Sequence, residues 1–237
     1  MSLDDPTIVR EQYATEANLR ARQALWAEVE GEDTREVLWR VLAARQPRTV
    51  LEVGGGQGEL AERMQRELAA KVTFLDQSER MVELARARGI LDANVGDVQE
   101  LPFANGVFDT VVAAWMLYHV PDVDRALAEI ARVLEPGGAL VAVTNSVRHL
   151  EELRALVGTM HRGYERHFNA ENGEALLLRH FGKVERTDAE LVAVVRERAT
   201  LVAYRDSMFC SGDPVPEDVP LPFRVHGRST IFVAERS

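Results

Sequence analysis

A glycine-rich turn directly after a short apolar run constrains this chain more than any other feature. The run is Thr49–Val53, and the glycines that follow it are Gly54, Gly55, Gly56 and Gly58. A short apolar run bounded by glycine is typical of a buried strand. Glycine has no Cβ, so the turn can be tight and the backbone can approach a bound molecule closely. The pattern predicts a strand, a turn and a helix, either with a ligand beyond the strand or only as a tight connection.

The next hundred or so residues alternate between strand and helix patterns. Helices are predicted for Glu59–Ala70, for a segment capped by Ser78 and ending near Arg88, and for Asp122–Leu134; strands are predicted for Val72–Leu75, Ile90–Val95, Val107–Ala114 and Ala139–Thr144. This alternation predicts right-handed crossovers and a mostly parallel sheet with helices on both faces. Sheets of this kind bind ligands beyond the carboxyl ends of their strands.

Two less regular segments flank this core. Residues 7–45 carry apolar side chains at helical spacing and are predicted to be helical. In the tail, helices are predicted for His149–Tyr164, Asn169–His180 and Glu197–Met208, and strands for Lys183–Val195 and Arg228–Ala234. The predicted fold is α/β and Rossmann-like: a doubly wound, mostly parallel seven-stranded sheet with N-terminal helices and a C-terminal elaboration.

Two aspartates end the second and third predicted strands of the core. Asp76 lies 18 positions beyond Gly58, where a carboxylate can accept hydrogen bonds from both hydroxyls of a ribose. Asp97 can accept from an adenine amino group while the Val98 backbone N–H donates to the ring. Each aspartate alone is more often a turn or helix-cap residue. Together with the glycine turn, they outline an adenosine site.

The residue after the glycine turn separates two adenosine-containing ligands. The dinucleotide pattern G-x-G-x-x-G requires glycine at position 59, which is Glu59 in this chain. A carboxylate at a helix N-terminus also competes with a pyrophosphate for the positive end of the helix dipole. S-adenosylmethionine has no phosphate, and its positive sulfonium favours nearby acids. The residues therefore favour S-adenosylmethionine over NAD.

Five segments in order resemble successive motifs of class I S-adenosylmethionine-dependent methyltransferases, in the methyltransferase type 11 and ubiquinone/menaquinone branch. They are Val50–Gly58, Phe74–Met81, Gly96–Phe103, Phe108–Pro121 and Ala131–Gly138. The resemblance covers about residues 45–145 and implies a methyltransferase that converts S-adenosylmethionine to S-adenosylhomocysteine. The cofactor-binding residues expected from both arguments are Tyr13, Glu52, Gly54, Gly55, Gly56, Gly58, Asp76, Gln77, Met81, Asp97, Val98 and Trp115. Gln57 and Gln77 depart from the family, which often has threonine or serine at the first position and an apolar residue at the second.

A catalytic base is optional, because alignment and desolvation supply most of the rate of an in-line methyl transfer. The candidates are His119, Tyr118, Tyr13, His149, His161 and His167. His119 and Tyr118 follow a strand end, but the family carries histidine there with many acceptors, which favours a structural or cofactor-side role. Tyr13 is expected in a lid over the methionine end, or in ordinary packing. The stretch around His149 resembles ribosomal-RNA guanine methyltransferases, although a helix start has the same appearance.

Composition and charge limit the partners. The net charge of −10, with acids and bases interspersed, disfavours nucleic acid and favours a neutral or cationic small-molecule acceptor. The single cysteine, Cys210, and the lack of a long apolar run predict a cytoplasmic monomer or homodimer with no disulfide, metal site or membrane association. Alternative functions are an RNA-base methyltransferase, a non-catalytic S-adenosylmethionine-binding protein and an NAD-dependent oxidoreductase, the last opposed by Glu59.

The same patterns predict how the chain is organised. Residues 1–45 are expected to form a helical lid, 46–145 the cofactor-binding core, and 146–237 the acceptor-side helices and last strands of the same domain. The first 30 residues are expected to cover the site without joining the sheet, since strands after Thr49 suffice to build it.

Overall fold

Strands and helices alternate along most of the chain. The computed structural model describes residues 4–5, 7, 11–12, 17–158, 164–208 and 213–237. The strands are β1 (Val29–Gly31), β2 (Thr49–Val53), β3 (Lys71–Asp76), β4 (Ala93–Val95), β5 (Phe108–Ala114), β6 (Leu134–Asn145), β7 (Lys183–Val195) and β8 (Phe223–Glu235). The α-helices are α1 (Ala17–Ala24), α2 (Thr34–Arg45), α3 (Glu59–Leu68), α4 (Glu79–Ala87), α5 (Val123–Val133), α6 (Glu151–Val157), α7 (Gly173–Leu177) and α8 (Arg198–Asp206); 3₁₀ turns occupy Leu117–His119 and Tyr164–Arg166.

All eight strands join one sheet, in the order β1-β7-β8-β6-β5-β2-β3-β4. The pairs among β2 to β6 are parallel, whereas β8 is antiparallel to both β6 and β7, and β1 is antiparallel to β7. The predicted α/β, doubly wound fold is confirmed. Its strand order reverses at β2, which lies between β3 and β5, and such a switch point opens a crevice beyond the strand ends.

The predicted count of seven strands was wrong by one, because β1 lies inside the segment expected to be helical. Its residues pair with Leu191–Ala193 at the edge of β7. Gly31 has a left-handed φ of +93° and ends the strand, and Asp33 then caps α2 by accepting the Arg35 N–H at 2.8 Å. The expectation that residues 1–30 leave the sheet to later strands was therefore wrong for Val29 and Glu30.

The two helices predicted at the start of the tail are shorter than expected. Their first predicted residues instead make hydrogen bonds to a neighbouring strand or to a side chain. Leu150 has a left-handed φ of 58° and donates its N–H to the His226 carbonyl, so α6 begins only at Glu151. The Asn169 side chain accepts the backbone N–H of Glu171 and of Asn172, which delays the helix α7.

β8 is longer than predicted because its antiparallel ladder with β7 continues to the pair Val195 and Phe223. The last predicted helix, α8, begins one residue late at Arg198 and ends two residues early at Asp206. β2 and β7 have the predicted bounds.

Apolar layers cover both faces of the sheet. Helix α5 contributes Leu127 and Ile130 to one layer, and α2 and α3 contribute Leu42 and Met64 to the other; all four side chains are fully buried. Burial on two faces explains why β2 and β5 are mostly apolar, with the unbroken run Val111–Ala114 in β5. Among the described helices, none has the length and apolar character needed to span a bilayer.

Candidate cofactor and acceptor site

A cavity of about 640 Å³ lies at the switch point of the sheet. The core contributes the segments at the ends of β2, β3, β4 and β5, as such a fold predicts. The remaining wall comes from distant parts of the chain: the residues concerned are Leu19, Arg22, Gln23, Trp26, Val29, Asp33–Glu36, Leu38, Asn145, His149, Leu191, Tyr204, Gly227 and Ser229. One cavity therefore joins the predicted core to both flanking segments.

The glycine turn after β2 forms the floor of the cavity. Gly54 and Gly56 have left-handed φ values of 63° and 57°, which favour glycine. A Cβ on Gly55 would lie 2.5 Å from Cδ of Glu52 and 2.6 Å from Cε2 of Phe74. Gly58 does not line the cavity; a Cβ there would lie 3.0 Å from Ala85, so its role is close packing of α3 on α4.

Glu52 is a buried acid in the wall of the cavity. Its side chain is 1% exposed, and Oε2 has no hydrogen-bond partner within the described structure. The pKa of this carboxyl is raised to about 8, chiefly by burial and also by the neighbouring Asp76, whereas a hydrogen bond from the Ala61 backbone lowers it. A cation entering the cavity would stabilise the ionised form of Glu52.

Asp76 ends β3 on the same wall. It is 8% exposed, and its Oδ1 accepts the Ser78 backbone N–H at 2.9 Å. Burial raises the pKa of Asp76 to about 6, against hydrogen bonds from the backbones of Ser78, Gly56 and Gln77. These bonds fix the carboxylate at the strand end, where it faces the cavity beside Glu52.

The expected adenine residues divide into two groups. Val98 and Asp97 both line the cavity, but Val98 is buried, whereas Asp97 is exposed and accepts from the backbone and side-chain amides of Gln99 at 2.8–3.1 Å. Gln77 is exposed and also lines the cavity. Met81 is fully buried in α4 and lies outside the cavity wall, because its helical position turns it into the protein interior.

Trp115 links the core to the tail. It has a left-handed φ of 55°, and its Nε1–H donates to Asn145 Oδ1 at 3.2 Å. The Ser229 hydroxyl donates to the same oxygen at 2.9 Å. Residues from the ends of β5 and β6 and from β8 therefore share one polar network on the cavity wall.

The base candidates occupy different environments. Tyr118 and His119 line the cavity with their ring centroids 4.5 Å apart, and His119 is 8% exposed. His149 also lines the cavity. His167 lies outside its wall, with Nδ1 3.7 Å from Asp4 Oδ2. Tyr13 and His161 lie outside the described residues.

Several wall residues were missed by sequence reasoning because they come from far along the chain. One signal was present: Gly227 interrupts an apolar strand, and glycine within a strand often marks a close approach. A Cβ on Gly227 would lie 2.7 Å from Cη2 of Trp26. Tyr204 of α8 and Leu191 of β7 have no comparable signal, since both fit ordinary amphipathic patterns.

The residues of the cavity fit S-adenosylmethionine. The missing Cβ of Gly55 leaves room beside the Glu52 carboxyl, and two buried wall oxygens, Glu52 Oε2 and Thr34 Oγ1, have no hydrogen-bond partner within the described part of the chain. Two buried acids match a ligand that carries positive charge. Among the described residues, no group of three or more His, Cys, Asp or Glu side chains is arranged to hold a metal ion.

Comparison with known proteins gives the same assignment for the core. Residues 51–142 match the family model described as a methyltransferase domain. The ubiquinone/menaquinone biosynthesis C-methyltransferase UbiE of Ralstonia nicotianae is 35% identical over 119 residues, which are 45% of this chain and 49% of that protein. The chain thus matches about half the length of this curated relative.

Two solved structures share the fold over the whole chain. Phosphoethanolamine N-methyltransferase 2 of Haemonchus contortus, in complex with phosphomonomethylethanolamine and S-adenosylhomocysteine, has a TM-score of 0.65 at 16% identity and covers 100% of this chain and 61% of its own. The [4+2]-cyclase SpnF has a TM-score of 0.63 at 20% identity, with 100% and 97% covered. Residues 51–142 thus match a methyltransferase-domain family and are similar in sequence to UbiE-like C-methyltransferases, and the fold agrees with that match.

Proposed function

We propose that the protein methylates a small-molecule acceptor, with S-adenosylmethionine as the methyl donor. The observation that carries the proposal is the pair of buried carboxyls, Glu52 and Asp76, beside an open glycine turn in a methyltransferase domain. When bound, S-adenosylmethionine supplies a methyl group on a positively charged sulfur, open to in-line displacement by a nucleophile.

The chain's own residues divide the work of holding that cofactor. Asp76 binds the ribose hydroxyls, Val98 with Asp97 or Gln99 binds the adenine, and Glu52 lies at the positively charged end. Thr34, 3% exposed and with no hydrogen-bond partner for Oγ1 within the described structure, offers a hydroxyl at the start of α2. The glycine turn lets the backbone approach the ligand.

The segments outside the core exclude water and hold the acceptor. Leu19 of α1 lies over the turn, with Cδ2 3.5 Å from the position of a Cβ on Gly56. Trp26, Tyr204 and His149 complete the far wall. Residues 1–45 therefore serve as a cover, apart from β1, and 146–237 as the acceptor side of the same domain. Alignment together with desolvation by this cover supplies most of the rate of an in-line methyl transfer, so a dedicated base is optional.

The test has two stages. Calorimetry should show micromolar binding of S-adenosylmethionine and S-adenosylhomocysteine and none of NAD, and tighter binding of NAD would reject the cofactor. Labelled methyl transfer should then be screened against separate pools of small metabolites and of RNA, with Asp124→Ala, a change on the exposed surface outside the cavity wall, as control. Transfer to RNA would replace the small-molecule proposal, and binding with no transfer to any pool would favour a non-catalytic S-adenosylmethionine-binding protein.

A further inference from the structure

His149 is held by the backbone at one ring nitrogen. The Arg228 backbone N–H donates to His149 Nδ1 at 3.0 Å, and the Arg228 carbonyl lies 3.1 Å from the same nitrogen. That carbonyl already accepts the Ser146 N–H at 3.0 Å. The ladder between β6 and β8 ends at the pair Asn145 and Ser229, so Arg228 lies just beyond it. Its N–H therefore bonds to a side chain, and His149 supplies the acceptor.

This arrangement selects one tautomer of the imidazole. A proton on Nδ1 would face the Arg228 N–H and leave that buried donor without an acceptor, which costs more than the alternative contact with the carbonyl returns. The proton therefore resides on Nε2. Within the described structure the hydrogen bonds of the ring are all made at Nδ1, which leaves Nε2 without a partner, and the residue lines the cavity.

The surroundings keep the ring neutral. The pKa of His149 is lowered to about 3, chiefly by burial and also by the nearby Arg154 and Arg228 guanidinium groups. The contact with the Arg228 backbone and the Glu152 carboxylate raise this pKa and offset part of the shift. The Arg154 side chain donates to the His149 carbonyl, and Glu152 is engaged by His226. A neutral imidazole with Nε2 already protonated donates one hydrogen bond and cannot take a proton from an acceptor at that atom.

The rest of this wall is uncharged or basic and partly aromatic. The residues contributed by α1, the turn after β6, β7, α8 and β8 include no acid; the cavity's acids come from the core and from the start of α2. The Trp26 ring lies with its centroid 5.7 Å from that of His149. A cationic amine would find no carboxylate here, whereas a neutral molecule with a carbonyl or other accepting oxygen would find a fixed N–H.

We propose that His149 Nε2–H is a specificity-determining donor that binds an oxygen atom of the acceptor, with the molecule lying against Trp26. The inference rests on the proposed function only in assigning this wall to the acceptor. It narrows the expected neutral or cationic acceptor to one that presents a hydrogen-bond-accepting oxygen, and it gives His149 a role different from that of a general base. A neutral donor of this kind stabilises negative charge that develops on the bound oxygen.

The tautomer is tested directly on the native protein. A ¹⁵N–¹H correlation spectrum of the histidine rings, assigned by comparison with His149→Gln, should show His149 protonated at Nε2 alone and unchanged between about pH 5 and 8, as a pKa far below that range requires. A proton on Nδ1, or titration within this range, would overturn the proposal.

Ligand preference is tested with a pair of probes that differ in one oxygen, 1-indanone and indane. Tryptophan fluorescence titration, with and without S-adenosylhomocysteine, should show tighter binding of the ketone. His149→Phe should weaken ketone binding about tenfold and leave indane unchanged, since it removes one hydrogen bond from a buried oxygen. His149→Gln, which keeps an N–H donor at similar reach, should recover part of the loss.

The two variants also separate this inference from the proposed function. Calorimetry with S-adenosylhomocysteine should give the same affinity for His149→Phe as for the native chain, which also shows that the variant folds. Equal binding of the two probes, or an equal loss for both in His149→Phe, would overturn the inference even if methyl transfer is found. Failure of the native protein to bind S-adenosylhomocysteine would instead reject the proposed function. The tautomer and probe measurements in the free protein would still decide whether His149 is a donor to the bound oxygen.

Discussion

The two ends of the cavity are built by different means. The cofactor end is assembled within one stretch of chain, from the turn after β2 and the ends of β3 and β4, and its polar contacts come from backbone and two buried acids. The opposite end combines Trp26 with His149, Tyr204 and Gly227, which span some two hundred residues. The first end is fixed by local strand-to-helix connections, and the second by long-range packing of the flanking segments.

The difference in construction matches a difference in charge. Glu52 and Asp76 hold pKa values of about 8 and about 6 through burial, so that end responds to a positively charged ligand. Among the described residues, the His149 end has no acid on its wall, and burial lowers the pKa of its histidine to about 3. The charge at the first end fits the sulfonium of the proposed methyl donor, whereas the second end fits the neutral, oxygen-bearing acceptor inferred above.

The largest effect is expected from adding one methyl group at the cofactor end. Gly55→Ala places a Cβ 2.5 Å from Glu52 Cδ and 2.6 Å from Phe74, both buried, so Glu52 must move into the ligand space. Overpacking of this kind costs about 1–3 kcal/mol, and displacement of the acid adds to it, for a loss of S-adenosylhomocysteine affinity on the order of a hundredfold. Calorimetry measures it.

The control for this substitution is Gly137→Ala. Gly137 has a positive φ of +79°, which Gly55 does not, and no heavy atom lies within 4 Å of its Cβ position. Thermal unfolding should register the conformational strain of the control while its cofactor affinity stays unchanged. Equal affinity losses in both variants would mean that the contact between Gly55 and Glu52 does not shape the site.

The second effect concerns Asp76, and it tests how far cofactor affinity depends on this one carboxylate. If this side chain binds both ribose hydroxyls, Asp76→Ala should cost about 2–3 kcal/mol of cofactor affinity, roughly fiftyfold, because charged hydrogen bonds are worth about 1.5–3 kcal/mol each and rarely add in full. Asp76→Asn keeps an acceptor for the Ser78 N–H, so it should retain the fold and lose somewhat less affinity. A folded Asp76→Ala variant with native affinity would show that the ribose is held elsewhere.

The same contrast explains how far sequence reasoning reached. The apolar run Thr49–Val53, the glycines after it and the acids at the strand ends are local signals. They predicted the strands of the core, and most of the cofactor residues proposed from them line the cavity. β1 was missed because a three-residue edge strand forms only by pairing with β7, which lies about 160 residues away along the chain. Tyr204 and Leu191 have ordinary patterns and enter the wall only through long-range packing. Met81 was assigned from a motif whose helical phase turns it into the interior.

The third prediction uses the raised pKa of Glu52. The folded, ligand-free protein binds a proton at this carboxyl up to about pH 8, whereas the unfolded chain loses it near the ordinary glutamate pKa of 4.5. The unfolding free energy should therefore fall as pH rises between these values. A sulfonium favours the ionised form, so binding of S-adenosylmethionine should expel a proton and tighten as pH rises, by up to about tenfold per pH unit, and level off above about 8.

S-adenosylhomocysteine is the matched ligand for this measurement, because it shares the amino and carboxyl groups of S-adenosylmethionine and lacks only the charged sulfur centre. Calorimetry in two buffers of different ionisation enthalpy counts the protons released. The difference between the two ligands should disappear in Glu52→Gln, which cannot ionise. A pH dependence that is the same for both ligands, or that persists in this variant, would assign the proton to another group.

The smallest effect is expected in α1. Its hydrogen exchange tests whether this helix opens as a cover over the cofactor end or is as stable as the sheet. None of the side chains of α1 is fully buried, although Leu19 lies over the Gly56 turn and the helix packs on α8. Elements with little buried apolar surface open at low free energy, and lids are drawn from these. The β1 strand, by contrast, is tied to β7 by a backbone ladder and by the flanking ion pairs of Glu28 with Arg196 and Glu30 with Arg224.

Hydrogen exchange should show Ala17–Ala24 opening readily in the free protein and slowing several-fold when S-adenosylhomocysteine binds, with β1 and β5 changing little. Protection of α1 equal to that of β5 without ligand would make the segment structural, and the two ends of the cavity would then be joined by a rigid wall.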